Sequence, residues 1–349
     1  MATSTTRVAK APKDKIDWRL AVDKHVIPML NWFKERKIRP TLRTLFYRLS
    51  SPPLEVIPNT ENAYKRLSKV LVKERKEGRI PWDAIADKVR LVVTNFDDRY
   101  ETPEEYIQHG INFLKNAHDS YTIPRWYNQK HYVEAWVEKL ELTDTFESFL
   151  EGRDVRVVPN AGFASWTFLY ENFKRLAAVK EKYPDKIIHI LYFGDFDPSG
   201  DDMDRHIREA LEYFTRLFKS LAYDFAVNGR TIHFERIAVT QQQIEEFDLP
   251  PKPEDSDTLE KLDNDSRTKG FIKKYGKLFA VEIDALLAVA PDEFEKLVQE
   301  SVGQYFDDAI YERVQQQDQP SPYKIRRLVR QKVRFPDEED GDDGGEVAA

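Results

Sequence analysis

Apolar residues recur three and four apart from Trp18 to Glu35 (Val22, Val26, Met29, Leu30, Phe33), the spacing that lays one stripe along a helix. A second helix follows Pro40, and a third runs from about Glu61 to Lys76 and stops at Gly78. Ile80-Pro81-Trp82-Asp83 then suits a turn into an extended segment. Three helices and a short wing predict a winged-helix module over residues 15–95, with residues 96–130 as a linker. From His131 the pattern changes. Strands are predicted at Tyr132 to Val137, Val155 to Val158, Ile187 to Phe193 and Ile232 to Val239. Between them lie helices near Asp144 to Leu150, Ser165 to Lys182 and Asp201 to Leu221. Such alternation implies parallel strands with helical crossovers, a doubly wound, Rossmann-like sheet over residues 131–240. Pro250 to Arg267 reads as a loop within a helical C-terminal region, residues 241–335. The expected fold class is therefore mixed α/β. Residues 1–14 read as a flexible arm and 336–349 as a disordered tail, with seven acids from Asp337 to Glu346.

Composition narrows the classes of function. With 41% hydrophobic and 33% charged residues in 349, the chain has the makings of an ordinary folded core. No apolar run approaches the ~20 residues that span a bilayer, so a cytoplasmic protein without membrane contact is expected, nucleoid-associated in a prokaryote. The absence of cysteine excludes disulfides, thiol catalysis and cysteine-ligated zinc. The net charge of -7 hides an asymmetry: residues 1–90 hold 21 Lys plus Arg against 10 Asp plus Glu, which leaves -18 for the other 259. Phosphates need cations and metal sites need carboxylates, so a basic head on an acidic body fits a DNA-contacting module joined to a metal-binding one. Lys65, Arg66, Lys69 and Lys73 of the third helix are the candidate DNA contacts; a solvated lysine-rich surface is the alternative.

The most informative stretch is Leu191-Tyr192-Phe193-Gly194-Asp195-Phe196-Asp197-Pro198-Ser199-Gly200. An apolar strand ends in two carboxylates at i and i+2, which project to the same side, before Pro and Gly turn the chain into a helix. Glu138 stands at the corresponding end of the first strand. Ligands of open parallel sheets collect at the carboxyl ends of strands, so folding is expected to unite Glu138, Asp195 and Asp197. Three carboxylates without His or Cys are hard oxygen ligands, suited to Mg2+ rather than zinc. None of the seven histidines has a metal-ligand spacing, and His189 reads as a core residue. No P-loop or G-x-G-x-x-G supports an ATPase on this chain.

Val137-Glu138-Lys139, the loop Pro159-Asn160-Ala161-Gly162 and Asp195-Phe196-Asp197-Pro198-Ser199-Gly200 resemble the Toprim domain of topoisomerases, primases and related nucleases. The likeness is greatest to the A subunit of topoisomerase VI and the meiotic break-forming transesterases. Glu138, Asp195 and Asp197 match that family's metal residues. Val281-Glu282-Ile283-Asp284-Ala285-Leu286 resembles a C-terminal element of the family, although acids at a helix start are expected in any case. Arg43-Thr44-Leu45-Phe46-Tyr47 resembles the family's R-x-I-Y-Y, in which the second tyrosine is the nucleophile; Phe46 replaces the first. On a helical wheel Leu42, Leu45, Phe46 and Leu49 form an apolar stripe, and Arg43 and Tyr47 share a face outside it. Tyr47 is therefore expected to be exposed, with a guanidinium beside a phenol of ordinary pKa near 10.

The resemblance implies a Mg2+-dependent DNA transesterase of the type IIB topoisomerase A-subunit kind. Tyr47 would attack the phosphodiester, with Arg43 and Glu138 assisting and Mg2+ on Glu138, Asp195 and Asp197. It further implies double-stranded DNA as partner and a homodimer in which each tyrosine acts with the other protomer's metal site. A separate ATPase subunit is a further possible partner. The alternatives are a Toprim nuclease, in which water replaces the tyrosine, and a non-catalytic DNA-binding accessory protein.

Overall fold

The computed structural model describes residues 16–86, 102–160, 166–218, 232–253 and 267–333. The expected N-terminal arm, the acidic tail, most of the 250–267 loop and Ala161 and Gly162 lie outside them. Contacts divide the chain into two compact units, residues 1–90 with 130–305, and residues 91–129 with 306–349. This differs from the serial order expected from the sequence: the first unit combines the N-terminal helices with the sheet.

In that unit α1 (Trp18–Ala21), a π-helical turn (Val22–Val26) and α2 (Ile27–Glu35) follow without a break, and α3 (Leu42–Ser50) and α4 (Glu61–Lys76) complete the N-terminal helices. Threonines start the last two: Thr41 accepts from Thr44 N at 3.0 Å and Thr60 from Ala63 N at 3.3 Å. Where an extended wing was expected, Trp82–Ala84 make a 3-10 turn and Ala86 forms an isolated bridge to Thr41. No paired wing strands occur among the described residues.

The sheet has four parallel strands, β1 (His131–Val137), β2 (Arg156–Pro159), β3 (Ile187–Phe193) and β4 (Ile232–Ala238), in the order β2-β1-β3-β4. Its crossovers are α7 (Thr143–Phe149), α8 (Trp166–Lys182) and α9 (Pro198–Leu217). Strand side chains alternate between faces. Trp136, Ile188, Ile190 and Tyr192 pack with Leu169 and Phe173 of α8 and Met203, Ile207 and Phe214 of α9. On the opposite face Phe193 meets Phe146 of α7 edge-on at 4.8 Å. The chain is thus mixed α/β, with helices on both faces of a parallel sheet. After β4 come α10 (Gln241–Glu246), α11 (Thr268–Tyr275), α12 (Ile283–Val289) and α13 (Pro291–Gly303). Every α12 residue from Ile283 to Ala288 is buried.

In the second unit α5 (Pro103–Lys115) and α6 (Ala117–Ser120) associate with α14 (Asp308–Gln317) and α15 (Pro322–Lys332). Gln129 and the Asp307 backbone exchange two 2.9 Å hydrogen bonds, and Trp126 packs edge-on against Phe306 at 5.2 Å. The expected linker is therefore partly helical and pairs with the end of the expected C-terminal region. Among the described residues no helix is long and apolar enough to cross a membrane.

Candidate functional site

β1 and β3 are neighbours although β2 separates them in sequence, and the strand order reverses between them. This is the switch point at which open parallel sheets bind ligands. Glu138 and the Gly194–Asp197 turn leave the sheet there, held in register by Glu138 N to Phe193 O at 2.9 Å. The backbone N–H of Asp195 donates to Glu138 Oε2 at 2.8 Å, so the expected trio does come together. Asp197 also caps α9, its Oδ1 accepting from Gly200 N at 2.7 Å. Two glycines permit these approaches. A Cβ on Gly194 would lie 2.5 Å from Glu138 Oε2, and one on Gly200 would lie 2.2 Å from the Asp195 carbonyl oxygen.

Four further charged residues complete the cluster. Phe196 and Val281 form an antiparallel bridge, which carries Glu282 and Asp284 to the strand ends and lets Ile283 N donate to Asp195 Oδ1 at 3.0 Å. Lys139 reaches Asp284 at 2.7 Å and Asp195 at 3.3 Å. Lys252, anchored by its N–H to Ala280 O at 2.7 Å, pairs with Asp197 and lies 3.4 Å from Asp195. Of these, Lys139 stood in the sequence motif without a role, and the i, i+2 acids of 282–284 were visible as a pattern. Lys252 carried no signal, being one lysine in a stretch read as loop.

The electrostatics follow from burial. Desolvation, then Asp195 and Asp197, push the Glu138 carboxyl up to about 7. Burial would raise Asp195 too, but the ammonium groups of Lys139 and Lys252 outweigh it and hold the carboxyl below its usual value. Both lysines are held above the usual ammonium range, because the carboxylates around them override desolvation. Glu138, Asp195, Asp197, Glu282 and Asp284 face Arg43, Lys139 and Lys252, so full ionisation leaves two negative charges uncompensated. Among the described residues no three acids or histidines are already drawn together as metal ligands, since the lysines stand between the carboxylates. The oxygen-only donors of Glu138, Asp195 and Asp197 nonetheless fit a hard divalent cation.

Tyr47 does reach this cluster, but not as the helical wheel implied. It is 0% exposed. Its hydroxyl donates to Glu282 Oε2 at 3.1 Å, and Arg43 Nε lies 3.0 Å from the same oxygen. α3 packs on α12 as well as on its apolar stripe, and so buries the face on which Tyr47 lies. Burial and then Glu282 raise the phenol well above its ordinary pKa, against the opposing effect of Arg43. The tyrosine thus lies against carboxylates of its own chain as a neutral hydrogen-bond donor.

α4 presents three faces. Ala63, Leu67, Leu71 and Glu74 are buried, and Lys65, Arg66, Lys69 and Lys73 are all exposed, as their candidate role requires. Lys65 and Lys73 lie 3.7 and 3.6 Å from Glu61 and Glu77 on the same helix. Between the two faces, Tyr64, Ser68, Val72 and Arg75 line a cavity of about 470 Å³ whose far wall includes Arg43, Lys139, Glu282 and Asp284. No protein-family model matches the sequence, and no match to a curated protein was found.

Proposed function

We propose that this chain cleaves DNA phosphodiesters at a Toprim-type Mg2+ site formed by Glu138, Asp195 and Asp197, as an A-subunit-like transesterase with a winged-helix head. The observation that carries this is the meeting of strand-end carboxylates from β1 and β3 with Tyr47 and Arg43 of α3, through Lys139 and the carboxylate of Glu282. When bound, the metal neutralises charge on the phosphate and the leaving oxygen. The exposed cations of α4 hold the DNA backbone beside the cavity that leads to the carboxylates. Tyr47 Oη bonds to phosphorus as the P–O3′ bond breaks, and the phenolic proton passes to solvent. The 3′ oxygen takes up a proton from solvent; in an alternative role Glu138, instead of binding the metal, carries that proton to it. The phosphotyrosyl link conserves the bond for rejoining. Cutting both strands needs two tyrosines and hence a homodimer, and a partner ATPase subunit would place the enzyme in the ATP-hydrolysing topoisomerase class.

One observation favours hydrolysis instead. Tyr47 is wholly buried, so α3 must draw away from α12 before the phenol meets a phosphate, whereas a water nucleophile needs no such movement. In that case the same carboxylates serve a Toprim nuclease. A third possibility, a DNA-binding accessory protein, leaves the cluster as a structural ion network.

One experiment separates the three. The full chain is incubated with end-labelled duplex DNA and Mg2+, denatured, and run on a gel beside Asp195→Asn and Tyr47→Phe. An adduct that protease removes, absent from both variants, is the expected result. Breaks with free 5′ phosphates in Tyr47→Phe identify water as the nucleophile. DNA binding without any break leaves the accessory role.

A further inference from the structure

Glu282 is the N-cap residue of α12, yet its carboxylate caps nothing. An acid at a helix start ordinarily bonds the free N–H groups of the first turn. Here it instead faces four other groups: Tyr47 Oη at 3.1 Å, Arg43 Nε at 3.0 Å, Lys139 at 3.8 Å and Lys252 at 3.9 Å. Lys252 Nζ marks the point on which Asp195, Asp197 and Glu282 converge from two separate segments. A single-charge ammonium is the resident there, among three carboxylates.

We propose that Glu282 is a fourth carboxylate of the metal site and that it alternates between the cation and Tyr47. The inference rests on the metal-site function proposed above and adds to it a means by which the metal exposes the nucleophile. A divalent ion repels Lys252 and takes its place between Asp195 and Asp197. Oxygen ligands of Mg2+ lie about 2.1 Å away, so Glu282 Oε1, now 3.9 Å from that point, closes by about 1.8 Å. The carboxylate then turns from Tyr47 and the link from α3 to α12 loses its central hydrogen bond. Among the described residues, the main side-chain links that then hold α3 to α12 are those of Thr44 to Asp284 at 3.1 Å and of Arg48 to the Ala288 carbonyl at 2.9 Å, so α3 can draw away and free Tyr47.

The test uses the full chain with Mn2+ alone as probe, without DNA. Binding is measured by electron paramagnetic resonance, and backbone hydrogen exchange is followed over Leu42 to Ser50. Wild-type protein should bind Mn2+ and exchange at least tenfold faster in α3 when saturated. Glu282→Gln should bind at least about tenfold more weakly and show no Mn2+ response in α3. Equal Mn2+ affinity in the two proteins removes Glu282 from the site and leaves the three-carboxylate metal function standing. Unchanged α3 exchange in Mn2+-saturated wild-type protein overturns the switch. No Mn2+ binding by wild-type protein overturns both the metal function and this addition to it. Circular dichroism checks the fold of Glu282→Gln, and if that variant is unfolded the wild-type exchange measurement decides alone.

Discussion

Tyr47→Phe removes one hydroxyl and leaves the ring, which packs against Phe46 at 5.7 Å between centroids. On an exposed helix face such a change stays within about 0.5 kcal/mol. The structure sets a different magnitude, because the hydroxyl is buried and its acceptor is a carboxylate. Hydrogen bonds to charged groups contribute about 1.5–3 kcal/mol. Glu282 keeps Arg43 at 3.0 Å, so the acceptor is not left unpaired and the loss falls near the lower end, about 1–2 kcal/mol. In a chain of this length a change of that size moves the melting temperature little, so urea unfolding is the better assay. The midpoint should fall with an unchanged denaturant slope. A variant within about 0.5 kcal/mol of wild type would refute the buried hydrogen bond and restore the exposed tyrosine of the helical wheel.

Three other perturbations address the framework, each read by urea unfolding. Glu134 is 0% exposed and is paired with Arg175, Tyr132 and Trp136, with Arg156 at 3.9 Å, so Arg175→Met removes its nearest cation without leaving it unpaired and should cost about 1.5–3 kcal/mol. Adding Glu134→Gln should recover part of it. Gly200→Ala pushes a methyl to 2.2 Å from the Asp195 carbonyl oxygen and should cost at least about 1–3 kcal/mol, whereas Gly270→Ala, with nothing within 4 Å, should be neutral or stabilising by up to about 1 kcal/mol. Burial, with His131 and His233 nearby, holds His189 down to about 3. The fold favours its neutral form, so this contribution to stability is complete above pH 6.5, the unfolded value, and drains away as pH falls from there toward 3. His189→Leu should flatten the acid side of a plot of urea midpoint against pH, and an unchanged slope between pH 6.5 and 4 would contradict it.

The residues of the sheet declare themselves because their signals are local. Ile187 to Phe193 is an unbroken apolar run ended by Gly194, and a strand buried on both faces needs that composition, so its observed limits match the expected ones. The three carboxylates were legible for the same reason, since a strand end and an i, i+2 spacing place them without knowledge of any partner. Charge was legible too: Lys65, Arg66, Lys69 and Lys73 lie on the exposed face of α4. Tyr47 was misplaced because a helical wheel finds the most apolar face and is silent about a second one. What covers that second face is Glu282 and α12, 235 residues away in sequence, and no local period records their arrival. Glu282 and Asp284 entered the site through a bridge between Phe196 and Val281, and Lys252 through its N–H to the Ala280 carbonyl. Residues 102–129 likewise join 306–333 by pairings such as Gln129 with Asp307, at a separation of 178. The sequence alone thus determined the strands, the strand-end carboxylates and the basic helix face, each of which depends on near neighbours. Only the tertiary structure decided which side chains are buried against one another and how their charges are shared, because burial and electrostatics act through distance in space.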